Sequence, residues 1–222
     1  MNAIRENYVL ILLLILAIAG TFLWLLRFRE RLKISWWGAL LMAIGHVLFG
    51  VVCVHVFARF EGASIGAMSI FGAVFLMPIA LYLDSKILRC PASETFDILV
   101  IPMIFTLLLT RINCLIGGCC YGVPIGATHL RWPTREAEIL FYLVFIFIEG
   151  PKVFKGETSG EVYPLYMGSY GLARAIIECF RYSAGTKTIF HFSHIWAILS
   201  ITLGFGIYFE LSERIRRKKK RN

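Results

Sequence analysis

The sequence predicts an all-α fold: a polytopic membrane helix bundle of about seven transmembrane helices, with the N-terminus outside and the C-terminus inside. Three observations predict it. Of the 222 residues, 58% are hydrophobic and 17% charged, where soluble domains run about 45–50% apolar and about 25% charged. The mean hydropathy of +0.73 is spread along the whole chain, as in a bundle whose solvent is lipid. The basic residues, finally, alternate from one loop to the next. These features exclude a disordered chain, a secreted disulfide scaffold and an ordinary cytosolic enzyme. The net charge of +9 sits largely in the final run Arg214–Arg221, beside an apolar segment, which reads as a membrane-surface anchor. The remaining basic residues form no motif, so no nucleic-acid partner is expected.

Seven apolar stretches carry the spans, at about 1.5 Å of rise per residue against a hydrocarbon core of about 30 Å. The first, 8–26, has no small-residue cleavage site after it and its positive charge follows rather than precedes it, so it is expected to stay in the mature chain. Arg27, Arg29, Arg31 and Lys33 come next and set the first loop on the cytoplasmic side. The others follow at 35–57, 64–83, 96–116, 137–148, 163–180 and 189–209. The fifth is short and carries Glu138 and Glu149 near its ends, as a tilted or interfacial helix would. Counted over alternate loops, fifteen basic residues fall on the inner side and six on the outer. Residues 1–213 are thus read as a single integral membrane domain and 214–222 as a basic cytoplasmic tail.

Arg111 and Arg174 are left within or at the edge of spans, where an ionisable group needs a partner or a wet cavity. Steps of four, four and three place Tyr170, Arg174, Glu178 and Arg181 on one helical face. That polar stripe reads either as a structural Arg174–Glu178 pair or as a guanidinium, oriented by Glu178, that meets an anionic ligand. Arg111 opens a second segment, continuing through Asn113 and Cys114 to Gly117-Gly118-Cys119-Cys120-Tyr121-Gly122. Its glycines break the helix and bare backbone N–H groups to a phosphate or headgroup. Cys119 is the expected thiolate, its pKa lowered near Arg111, with Cys120 pointing elsewhere. The cysteines lack two spaced pairs, and His129 would have to supply a fourth ligand, so no metal is expected. A disulfide on this outer loop stays open. Gly62 and Gly66 form a small-xxx-small pattern suited to close helix packing, and His46, His55, His191 and His194 read as packing histidines before proton carriers.

These segments resemble the prolipoprotein diacylglyceryl transferase family of bacterial membrane enzymes. Arg111 to Gly122 is similar to the family signature G-R-x-x-N-F-x-N-G-E-x-x-G at Arg111, Gly118 and Gly122, and closer to a C-x-x-x-C-C-Y-G variant. Arg131 to Glu138 resembles H-P-[ST]-Q-L-Y-E, keeping Pro133, Thr134 and Glu138. Tyr170 to Arg181 matches Y-G-x-x-R-x-x-x-E-x-x-R at every fixed position, and Gly66 to Ala73 is similar to G-G-x-S-x-H-G-G at Gly66, Ser69 and Gly72. Phe71 stands at the family's histidine, Cys114 and Gly117 at its asparagines, Cys119 at its glutamate and Trp132 at a further histidine.

The resemblance implies a multi-pass protein of the bacterial plasma membrane that needs no cofactor. It transfers diacylglyceryl from phosphatidylglycerol, or a related anionic phospholipid, to the lipobox cysteine of a lipoprotein precursor signal peptide, releasing glycerol 1-phosphate. Arg111, Arg174 and Glu178 are then the expected catalytic residues, with Tyr170, Gly118, Gly122, Cys119, Glu138, Gly72 and Arg181 at the substrate. The base is open among His129, Glu138 and Cys119. The alternative is a noncatalytic membrane protein that keeps the anionic-lipid cavity for binding.

Overall fold

The computed structural model describes residues 2–64, 66–181 and 192–219, with the side chains of 2–7 and 218–219 set aside. Lys187, Ile189 and His191, the side chain of Arg5 and the last three residues of the basic tail lie outside it. Among the described residues seven helices follow in order: α1 (Asn2–Leu32), α2 (Trp36–Phe60), α3 (Phe71–Leu88), α4 (Ala92–Ile116), α5 (Thr134–Lys155), α6 (Val162–Glu178) and α7 (Phe192–Lys219). Among the described residues there is no strand, only isolated bridges between Gly122 and Arg181 and between Pro124 and Arg131.

Five helices, α1 to α4 and α7, are long and apolar enough to cross a membrane. Their outward faces are apolar as well: Leu12, Leu41, Ile79, Ile87 and Phe209 are all exposed, as a lipid-facing surface requires. α4 is the central helix, buried from Ile98 to Ile104 almost without interruption, and α1, α3, α5 and α6 pack around it. α5 and α6 are the polar pair. α6 has 17 residues and packs along α7, because Gly168 and Gly204 let the two backbones meet. A Cβ on Gly204 would lie 2.2 Å from the Gly168 nitrogen.

Two expectations are corrected. The third helix starts at Phe71, not Ser64, and residues 61–64 and 66–70 lie in a loop in which Gly62 and Gly66 have φ of +78° and +88°. A Cβ on either glycine would meet nothing within 4 Å, so these are turn glycines and not a packing seam. The fifth helix is longer than its apolar core, 22 residues against the twelve of 137–148, because buried Glu138 and Glu149 are inside it rather than at its edges. α7 continues to Lys219 as one helix, with Arg214 paired to Glu210 and Arg217 to Glu213.

Because successive helices alternate in direction, the loops fall at two ends. One end gathers the C-termini of α2, α4 and α6 with the N-termini of α3 and α5. The other gathers the turns after α1, α3 and α5. There Asp97 accepts hydrogen bonds from the backbone N–H of Gly160 (2.6 Å) and Val162 (3.0 Å), and Arg31 pairs with Glu94 at 2.8 Å.

Candidate anion site and thiol loop

α4, α5 and α6 each bring one turn of polar residues to the first end, and these turns interlock. Glu138, in the second turn of α5, lies between two guanidinium groups. Arg111 of α4 reaches it through Nε and through Nη2 (3.1 Å), and Arg174 of α6 through Nη1 (2.6 Å). The second Arg174 nitrogen, Nη2, holds Glu178 Oε2 at 2.6 Å, and Arg181 Nη1 approaches the same oxygen at 3.7 Å. Arg111, Glu138, Arg174 and Glu178 are each 8% exposed or less. A chain of alternating charge therefore runs from α4 through α5 and along α6, inside an otherwise apolar bundle.

The sequence reading expected the Arg174–Glu178 pair and both arginines. It placed Glu138 at the substrate, and the structure adds that Glu138 is the carboxylate joining the two arginines. Tyr170 is one turn below Arg174, stacked on Tyr142 (ring centroids 6.0 Å apart) and on Tyr166 (5.8 Å). The hydroxyls of these three buried tyrosines have no hydrogen-bond partner among the described residues. Phe71, at the family's histidine position, packs edge-on against Tyr170 at 5.8 Å. The structure gives Gly72 a packing role: a Cβ there would lie 2.2 Å from the Cys53 carbonyl oxygen of α2.

Glu61, just past the end of α2, belongs to the same neighbourhood and was not singled out by the sequence. Burial pushes its carboxyl above the ordinary range, while a hydrogen bond with Ser69 and the charges of Arg174 and Arg181 draw it back. The signal that could have found it is its place opening the Gly62–Gly66 loop.

The Gly-Cys loop covers this end. Gly118 turns the chain with φ +65°, a region that costs a side-chain-bearing residue strain. Gly122 is held against the segment before α5, where a Cβ would fall 2.3 Å from the Trp132 carbonyl oxygen. Around it Val123 N–H donates to Phe180 O (2.8 Å) and Trp132 N–H to Val123 O (3.1 Å), so the loop is tied to both α5 and α6. The cysteines are all free thiols.

The shifts of Cys119 and Cys120 run opposite to the expected order. Burial raises the Cys119 thiol, whereas Cys120 is lowered to about 4, first by a hydrogen bond with Cys114 and then by the charges of Arg181 and Arg111. Arg181 Nη2 donates to the Cys120 sulfur at 3.3 Å. His129 lies exposed on the loop. His46 pairs with Asp84 and the His55 ring binds the Val51 carbonyl at 2.8 Å, so both are satisfied where they stand.

The family model described as prolipoprotein diacylglyceryl transferase matches residues 37–210. The chain belongs to that family. Among curated relatives, the phosphatidylglycerol–prolipoprotein diacylglyceryl transferase of Clostridium tetani is 27% identical over 156 residues, which are 63% of this chain and 62% of that protein. The protein of the same name from a strain of Dehalococcoides mccartyi is 24% identical over 191 residues, 73% of this chain and 72% of its own length. The chain thus spans under two thirds of the length of the first of these relatives. No solved structure matches it. The family match takes in every residue of the ionic chain and of the Gly-Cys loop.

Proposed function

We propose that the protein transfers a diacylglyceryl group from phosphatidylglycerol, or a related anionic phospholipid, to the cysteine thiol of a lipoprotein precursor, releasing glycerol 1-phosphate. The observation that carries this reading is the convergence of Arg111 and Arg174 on Glu138. Each guanidinium presents five N–H donors in a fixed fork. Glu138 and Glu178 engage part of that set and hold both planes in register, and the remainder suits the oxygens of a phosphate. As the glyceryl C–O bond breaks, charge builds on the phosphate leaving group, where two fixed guanidinium groups in a dry site are most effective.

A cavity of about 290 Å³ between α1, α2, α3 and α4 supports the lipid side of the reading. Leu10, Leu14, Val47, Met77 and Leu107 line it, and its polar lining includes Thr110 and Asn113, which flank Arg111 on α4. An acyl chain fits such a wall. We further place the protein in the bacterial plasma membrane with all seven helices crossing, the N-terminus outside and the basic tail inside. The fifteen-to-six split of basic residues supports that orientation.

The second reading is a noncatalytic anionic-lipid-binding protein, and Phe71 favours it. Where the family carries a titratable ring, this chain carries an apolar one packed on Tyr170. Incubating the purified protein with phosphatidylglycerol vesicles and a lipobox peptide, then weighing the peptide, separates the two. A diacylglyceryl adduct on the cysteine is expected from the transferase; lipid bound with no adduct identifies the binding protein.

A further inference from the structure

The sulfur atoms of Cys114, Cys119 and Cys120 all lie within 4.8 Å of one another, although only two of these residues are adjacent in sequence. The backbone works to bring them together. Cys120 adopts φ +59°, in the left-handed region, without being a glycine. Its carbonyl oxygen accepts from Thr134 Oγ1 at 3.1 Å, and Arg135 Nη1 holds the Cys119 carbonyl oxygen at 3.3 Å. Cys119 N–H donates back to Cys114 O at 3.1 Å. Tetrahedral coordination with metal–sulfur bonds of about 2.3 Å separates sulfurs by about 3.8 Å, so the three thiols need to close by no more than about 1 Å.

Charge and position agree. Three thiolates around a divalent ion carry one net negative charge, and Arg181 already directs an N–H at the Cys120 sulfur. Cys114 follows Arg111 by three residues on α4, which puts its sulfur on the same helix face as the anion site. Soft thiolates select zinc-like or cuprous ions, and three protein ligands with a fourth position open is the pattern of a catalytic rather than a structural zinc centre.

We propose that Cys114, Cys119 and Cys120 bind a soft divalent metal of the zinc type, whose open fourth position takes the acceptor cysteine of the substrate peptide. This rests on the transferase reading and supplies what that reading lacks at Phe71. On coordination the acceptor S–H bond breaks and its proton passes to water. The metal-bound sulfur then uses a lone pair to form the S–C bond with the glyceryl carbon. The C–O bond to phosphate breaks, its electron pair stays on oxygen, and glycerol 1-phosphate leaves from Arg111 and Arg174. The metal ends the cycle unchanged in oxidation state.

The test uses the full chain in detergent, reduced and stripped with a chelator, then titrated with cobalt(II) as a coloured zinc probe. One cobalt per chain with sulfur-to-cobalt charge-transfer absorption is expected, displaced by zinc, lost in Cys119→Ser and Cys120→Ser, and kept in Cys90→Ser at the opposite end. A lipobox peptide should perturb the cobalt spectrum, and the same peptide with serine at the acceptor position should not. A folded protein that shows no such absorption, takes up copper(I) alone, or instead forms a Cys114–Cys119 or Cys114–Cys120 disulfide overturns the site. Thioether formation should fall by about 100-fold or more on metal removal, the smaller end of the cost of losing a proton-handling group. Transfer at full rate in chelated protein and in Cys120→Ser would overturn this inference and leave the transferase reading standing. Cobalt bound and peptide ligated, with no thioether formed, would confirm the metal site and overturn the transferase reading.

Discussion

The two ends of the bundle each bury a carboxylate against α6, and they satisfy it in opposite ways. At one end Asp97 receives two neutral backbone N–H groups from the turn into α6. At the other Glu138 receives two guanidinium groups from α4 and α6. Backbone donors close a turn and are spent in doing so. Guanidinium groups bring more donors than one carboxylate can use, and with Arg181 beside Glu178 the cluster keeps a positive balance that a phosphate can share. The difference separates a structural anchor from a site.

The largest effect expected from breaking this comparison is at Glu138. Glu138→Ala leaves Arg111 and Arg174 buried side by side, at a cost of about 3–5 kcal/mol, and abolishes diacylglyceryl transfer along with it. Asp97→Ala strands two backbone N–H groups and costs about 1–3 kcal/mol, with transfer per folded molecule unchanged. Thermal unfolding in detergent, read with the peptide-mass assay, checks both.

Next come the glycines that hold each end. Gly122→Ala forces a Cβ onto the Trp132 carbonyl and displaces the thiol loop, so transfer should fall by about 100-fold, the scale of a misplacement near 1 Å at a reacting site. Gly160 has φ +101° and would set a Cβ 2.8 Å from the Ser93 Cβ, so Gly160→Ala should lower the unfolding temperature and leave the rate of the folded protein alone. The smallest effect belongs to Arg31, whose pair with Glu94 is about one third exposed on each side. Arg31→Ala should change stability by no more than about 1 kcal/mol.

The fold class, the existence of each helix and the Tyr170, Arg174 and Glu178 part of the stripe were legible because hydropathy and helical spacing report them directly, whereas α6 ends at Glu178 and leaves Arg181 in the segment after it. The start of α3 was not, since Ser64 to Ile70 is as apolar as a helix end and only the backbone shows Gly62 and Gly66 turning with positive φ. The length of α5 was hidden for a related reason. Glu138 and Glu149 read as boundary residues until their partners are known, and Arg111 and Arg174 lie 27 and 36 residues away in sequence. The convergence of Cys114 with Cys119 and Cys120 was invisible for want of a spaced pair, and it depends on one residue, Cys120, taking a left-handed turn. The order of the two neighbouring thiols likewise follows from which one meets first Cys114 of α4 and then Arg181 just past α6, contacts of a loop that spacing does not encode.

The most direct test of the arginine site is Arg174→Lys, which keeps a positive charge beside Glu138 and Glu178 and gives up the planar fork. Glycerol 1-phosphate released from phosphatidylglycerol vesicles in the presence of lipobox peptide is the quantity to follow. A folded protein whose release falls by about 100-fold or more is expected, the range for removing one transition-state donor. Release at the wild-type rate from Arg174→Lys would contradict it and leave the ionic chain a purely structural device.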